Sequence, residues 1–153
     1  MEDLESLASK ATVPQRISFV TIGVNDLSQM SAFYKNKFGW EPVKEEEGIV
    51  FFKANGIMFG LYSTKDLADD IGVPNEGVGF KKMTLAVNVS SVEAVDTIFS
   101  KMRERGVKIV KAPEEIFWGG YRGYIADIED NYWEIVYNPF LVMEESGNVL
   151  DHL

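Results

Sequence analysis

Val20-Thr21-Ile22-Gly23-Val24-Asn25-Asp26-Leu27-Ser28-Gln29-Met30-Ser31-Ala32-Phe33-Tyr34 reads as an alternating strand, a polar turn and the start of a helix. The pattern returns 65 residues later as Leu85-Ala86-Val87-Asn88-Val89-Ser90-Ser91-Val92-Glu93-Ala94-Val95-Asp96-Thr97-Ile98-Phe99. Identity between the copies is slight, but the chemistry repeats. An internal duplication sets the architecture before any single motif does. In the first copy Val20, Ile22 and Val24 point one way and Phe19, Thr21 and Gly23 the other. In the second, Leu85, Val87 and Val89 oppose Thr84, Ala86 and Asn88. Period-two alternation predicts a sheet with one apolar face.

Each strand feeds a helix. Asp26 or Ser28 can cap the first, whose stripe is Leu27, Met30, Phe33 and Tyr34. Ser90 or Ser91 can cap the second, with Val92, Val95, Ile98, Phe99 and Met102. Both stripes have the spacing of an amphipathic helix on a sheet, and Gly39 and Gly106 suit the helix ends. Three shorter strands follow each helix, near 40–44, 49–53 and 57–62 and near 108–113, 121–127 and 132–137, with turns at Glu45–Gly48, Asn55-Gly56 and Ile128–Asn131. The chain thus divides into a leader over residues 1–15, a domain over 16–140 and a tail over 141–153. The domain holds βαβββ repeats at 16–63 and 82–138, and Ser63–Gly79, rich in Gly, Asp and Pro, reads as their linker. The cluster Phe140, Leu141, Val142 and Met143, where the domain passes into the tail, calls for something apolar to dock on. Each half leaves bare the sheet face opposite its helix, and two such faces brought together form a walled cup. The fold class is α+β: two tandem βαβββ units forming a cupped mixed sheet with helices outside.

Composition narrows the function classes. The 153 residues are 46% hydrophobic and 25% charged, the range of an ordinary globular chain. Fifteen basic against 24 acidic side chains give a net charge of −9, which argues against nucleic acid or an anionic membrane as partner. With no cysteine, disulfides, thiol chemistry and cysteine metal sites are excluded. No apolar run reaches membrane-span length, and Met1–Lys10 lacks the basic start and apolar centre of a signal peptide, so a cytoplasmic protein is expected. The one histidine, His152, is penultimate and reads as inert.

Phe19–Leu27, Phe33-Tyr34, Phe38-Gly39-Trp40, the repeat at Val89–Ala94 and the segment Ile125-Ala126-Asp127-Ile128-Glu129-Asp130-Asn131-Tyr132-Trp133-Glu134-Ile135 together resemble the vicinal oxygen chelate superfamily. That group includes glyoxalase I, fosfomycin-resistance enzymes, bleomycin-binding proteins and extradiol dioxygenases. The last segment is similar to the family's aromatic-x-Asp-Pro-Asp-Gly-Asn-x-x-Glu-Leu hairpin, with Ile128 in place of Pro and Asp130 in place of Gly. In metal-dependent members each half supplies one ligand from its first strand and one from its last. The matching positions here are Phe19, Gly60, Thr84 and Glu134, and only Glu134 is an ordinary ligand. The resemblance therefore implies the fold, while the departure speaks against metal chemistry; no metal and no cofactor are expected. The acidic runs Glu45-Glu46-Glu47 and Asp69-Asp70 sit in predicted turns and read as solvated.

By alternation Tyr132, Glu134 and Val136 share the cup face, as do Met58, Gly60 and Tyr62, while Trp133 and Ile135 pack under the helices. Pairing through the last turn sets Tyr124 opposite Glu134 and Arg122 on the diagonal. Three roles for Glu134 stay open: a structural carboxylate paired with Arg122 or Tyr124, a ligand-orienting group, or a general base raised by burial. Phe117-Trp118-Gly119-Gly120-Tyr121-Arg122-Gly123-Tyr124 reads either as a bulged strand with aromatics over glycines or as a stacking wall for a planar ligand. The leading expectation is a homodimer binding a small apolar or aromatic molecule, with Phe19, Tyr62, Trp118, Tyr121 and Tyr124 as contact surface and Glu134, Thr84 and Arg122 orienting it. The alternatives are a glyoxalase-like enzyme of lyase, isomerase or oxygenase type using Glu134 as acid/base or as its one remaining metal ligand, and a cup filled by its own side chains.

Overall fold

A computed structural model of the chain describes residues 15–153. The expected leader lies almost wholly outside that range. The first unit runs β1 (Phe19–Val24), α1 (Leu27–Asn36), β2 (Pro42–Glu46), β3 (Ile49–Lys53) and β4 (Met58–Ser63). A short helix, α2 (Thr64–Ile71), follows. The second unit runs β5 (Leu85–Asn88), α3 (Val92–Glu104), β6 (Lys108–Glu115), β7 (Tyr121–Ala126) and β8 (Tyr132–Tyr137). A hairpin of β9 (Leu141–Met143) and β10 (Val149–His152) ends the chain.

The duplication is visible in the topology. The strand orders are β1-β4-β3-β2 and β5-β8-β7-β6, each first strand pairing in parallel with the last of its unit. The remaining pairings are antiparallel. Asp26 caps α1 by accepting from the Gln29 amide at 2.9 Å, and Ser91 caps α3 by accepting from the Ala94 amide at 3.1 Å. Gly39 and Gly106 follow the helices with φ of +75° and +73°, a region that L side chains avoid. Met30, Phe33 and Tyr34 of α1 and Val95, Phe99 and Met102 of α3 are buried, the stripes that the spacing predicts.

The segment expected as a plain linker holds α2. Ser63 starts it by accepting from the Asp66 amide at 3.3 Å, and Gly72 stops it with φ of +86°. Its two turns carry three acids and few apolar residues, which is why composition hid it. Its packing is nonetheless specific: a Cβ on Gly23 would lie 3.3 Å from Thr64 Oγ1 and 3.4 Å from Leu67 Cδ2. Gly23 is the place where α2 rests on β1.

The halves join through their helix-covered faces. The Tyr34 hydroxyl donates to Asp127 Oδ2 at 2.6 Å and accepts from Trp133 Nε1 at 3.1 Å. Asp127 also accepts from the Asn131 amide at 2.9 Å and side chain at 2.7 Å, and from the Glu129 amide at 3.0 Å. Glu129 in turn accepts from the Asn25 and Asp26 amides at 2.8 and 3.0 Å, placing a carboxylate at the positive end of α1. The Trp133 ring sits 5.4–6.0 Å from Tyr34, Phe38, Trp40 and Phe59, merging the halves into one core. Lys37 and Arg105 exchange side-chain to carbonyl bonds at 2.7 Å across the ends of α1 and α3. Each bare sheet face therefore has its helix behind it, as expected, but looks away from the junction. The two do not close on each other within the chain: the sheets stay separate, with no pairing of β1 to β5.

Tyr34→Phe tests the junction. It removes a bond to a buried carboxylate and strips Trp133 of its acceptor, so unfolding free energy should drop by about 2 kcal/mol, read from the urea midpoint at unchanged m-value.

Candidate functional site on the two bare faces

Register puts Phe19, Thr21 and Gly23 of β1, Phe51 of β3, and Gly60 and Tyr62 of β4 on one face of the first sheet, bare except at its Gly23 end, where α2 rests. Phe19 and Phe51 meet edge to face at 5.6 Å. A Cβ on Gly60 would lie 3.0 Å from the Phe51 ring and 3.3 Å from Thr21 Oγ1. The glycine thus lets Phe51 lie down where another residue would raise a side chain. Phe19 remains 55% exposed, so this aromatic floor is open.

On the second sheet Tyr124 stands opposite Glu134, the predicted register. Its hydroxyl donates to Glu134 Oε2 at 3.3 Å. Burial, then the charge of Glu134 and that bond, push the Tyr124 phenol up. Arg122 shares the face but turns to Glu114, at 3.2 Å, with its guanidinium 5.6 Å from the Tyr124 ring centre. Arg122 and then Lys111 hold the Glu114 carboxyl below its ordinary value. Thr84 donates to the Tyr132 carbonyl at 3.0 Å, tying the strand entry to β8. Phe80, Met83, Thr84, Val110, Tyr124 and Tyr132 line an apolar hollow of about 430 Å³ on this face.

Six of the eight expected residues therefore lie on the bare faces, split between the sheets: Phe19 and Tyr62 on the first, Thr84, Arg122, Tyr124 and Glu134 on the second. Tyr121 does not join them. It stands on the helix side of β7 and donates to Asp96 of α3, a bond that with desolvation pushes its phenol up to about 12. Trp118 sits in the turn before β7, folded onto Gly120, where a Cβ would come within 2.1 Å of its ring. Gly123 is likewise covered: its Cβ would lie 2.5 Å from Phe99 Cζ and 2.7 Å from the Lys111 carbonyl oxygen. Within the glycine-aromatic run Trp118 packs over Gly120 beside a bulged strand pair, with register breaks between Ile109 and Glu114, while Phe117 is fully exposed. Residues the sequence reading passed over are Thr21 and Phe51, which face parity alone would have paired with Phe19, and Phe80, Met83 and Val110.

A metal of the kind the fold family uses does not fit the residues present. The four corresponding positions offer one carboxylate, a hydroxyl already bonded to a carbonyl, a glycine and a phenyl ring. Among the described residues no group of three or more His, Cys, Asp or Glu converges.

Two βαβββ units with identical strand order and an acid on the last strand define the glyoxalase-like class of folds. The chain belongs to the Glyoxalase/Bleomycin resistance protein/Dioxygenase superfamily, whose family model matches residues 16–135. It is similar to a glyoxalase-related enzyme from Fulvimarina pelagi, at 29% identity over 91% of this chain and 99% of that one, with a TM-score of 0.82. A superfamily protein from Nocardioides aligns at 23% identity over 84% and 87%, TM-score 0.72, and lactoylglutathione lyase from Agrobacterium tumefaciens at 24% over 82% and 95%, TM-score 0.66. These two likenesses are of fold. No curated protein sequence matches the chain. Among the described residues no helix is long and apolar enough to cross a membrane.

The raised phenols of Tyr34, Tyr121 and Tyr124 set a pH dependence. Each is neutral in both states below the unfolded tyrosine value of about 10, so the stability it contributes is whole there. Above that value the unfolded chain ionises first, and stability should fall as pH rises from about 10 towards 12. Urea midpoints across pH 8–11.5 should show the decline, and Tyr121→Phe should make it shallower.

Proposed function

We propose that the protein binds a small, largely apolar or aromatic molecule without a metal, in a cup walled by the bare faces of two copies of the chain. One observation carries the reading: where metal-binding relatives place donors on the first sheet, this chain lays the Phe19–Phe51 pair over Gly60, an open aromatic floor. Stacking and burial on such a surface favour flat apolar ligands. The Tyr124–Glu134 pair on the other wall supplies a polar handle, the carboxylate accepting from a ligand hydroxyl or amine.

The same geometry supports a homodimer. Back-to-back halves point the two walls away from each other, and the exposed Phe19, Phe80 and Met83 give those walls apolar surface to cover. A two-fold partner brings the first sheet of one protomer over the second sheet of the other, forming two equivalent cups. The acidic, cysteine-free chain suits the cytoplasm. Bleomycin-binding proteins are the precedent within the superfamily for a cup that only holds its ligand.

Three readouts on protein purified without chelator test this. Light scattering should give twice the chain mass of 17.2 kDa. Elemental analysis should find less than a tenth of an equivalent, roughly, of any transition metal, and a thermal-shift screen of aromatic and amphipathic compounds should yield hits that Phe51→Asp abolishes. A stoichiometric metal that disappears in Glu134→Ala would overturn the metal-free reading, and silence across the library would mean a cup closed by its own side chains.

A further inference from the structure

The bare faces are not the only cavity the fold creates. At one end of the junction between the halves, on the opposite, helix-covered side of the sheets, lies a hollow of about 700 Å³. Its walls are Trp40, Phe52 and Phe59 from the first unit and Val87 and Trp133 from the second. The aromatic rings pack on one another behind it, with Trp40 to Phe59 at 6.0 Å and Trp40 to Trp133 at 5.5 Å. It is a cleft open to solvent on one side, with room for roughly twenty waters at ~30 Å³ each. Its size is that of a ligand site, not of a packing defect.

The C-terminal hairpin covers it. Met143 and Val149 face the hollow, while β10 is exposed along its whole length and has no core of its own. The hairpin is tied across the opening by the Asn55 side chain, which donates to the Ser146 carbonyl. The next residue, Gly147, has φ of +99°, and a Cβ there would come 3.0 Å from Asn55 Nδ2. Both conditions call for glycine, so the strap is built for this tether. At the rim stand Glu41, Lys53 and Asn88, with charge of both signs and an amide around an apolar interior.

From this geometry we infer that the junction cavity is a second ligand site, separate from the bare faces, for a flat, largely apolar molecule of two or three rings carrying one polar group, held under the β9–β10 strap. Such a molecule displaces water from the apolar surface that Trp40, Val87 and Met143 offer, and the rim hydrogen-bonds its polar end. The inference does not depend on the cup: it uses the other side of both sheets.

The test is a fluorescence titration of the whole protein with N-phenyl-1-naphthylamine, a two-ring apolar amine that brightens in dry surroundings, followed also by quenching of Trp40 and Trp133. Saturable binding is expected at a site that persists, at one per chain, in Phe51→Asp, where the cup no longer takes aromatic ligands. Added to Phe51→Asp, Val87→Trp, which fills the hollow, should weaken that binding at least tenfold. Met143→Glu places a carboxylate under the strap from an exposed hairpin and should weaken binding by the same order; it decides the matter if circular dichroism shows Val87→Trp unfolded. No saturable binding by folded Phe51→Asp protein overturns the inference, as does binding there that Met143→Glu leaves unchanged.

Discussion

The Tyr34–Asp127 hydrogen bond is the constraint on which the rest of the structure depends. It is short, buried and charge-assisted, and it crosses from the helix of one βαβββ unit to the last hairpin of the other. Asp127 also organises its own turn through Asn131 and the Glu129 amide, which aims Glu129 at the free amides of α1. One carboxylate thus shapes a hairpin, docks a helix and, through Trp133, seals an aromatic core. Removing it would leave the buried Tyr34 hydroxyl, the Asn131 side-chain amide and the Glu129 and Asn131 backbone amides without their common acceptor. Because the lock engages the helix-covered faces, it also decides which faces are left over, and the site inherits its location from that choice.

What is left over differs between the halves. The first sheet offers rings and the second an acid, a phenol and a guanidinium already engaged by Glu114. The two units share one strand order, but their side chains differ: the first face carries an apolar ring pair and the second a polar set. Gly60 shows how a single position steers this. Without a side chain there, Phe51 fills the space, and a corner that elsewhere in the superfamily holds an ion becomes a hydrocarbon surface.

Much of this was legible in the chain. The period-two strands, the capped helices and the Tyr124–Glu134 register all follow from local rules, because alternation and turn length leave no freedom once a hairpin is recognised. Helix α2 was not legible, since two acidic turns stabilised by packing on Gly23 look like a loop in composition. Tyr121 was misplaced for a different reason. A glycine-aromatic run was read as one surface, although strand parity sends Tyr121 and Tyr124 to opposite faces. The assembly of the halves was the hardest to read. Both sides of each sheet carry apolar residues, so hydrophobicity alone does not say which sides meet; the deciding bond joins residues 93 positions apart. The junction cavity escaped for the same reason, being made of residues that each look like ordinary core.

The most direct measurement uses the absence of cysteine. A Thr21→Cys/Tyr124→Cys double variant carries one thiol on each bare face, and a bis-maleimide with a long flexible spacer joins whichever pair faces each other at low protein concentration. Back-to-back halves with cups shared between copies predict cross-linked product at twice the mass of the 17.2 kDa chain. Product confined to the single-chain mass, with its two thiols bridged internally, would contradict the account.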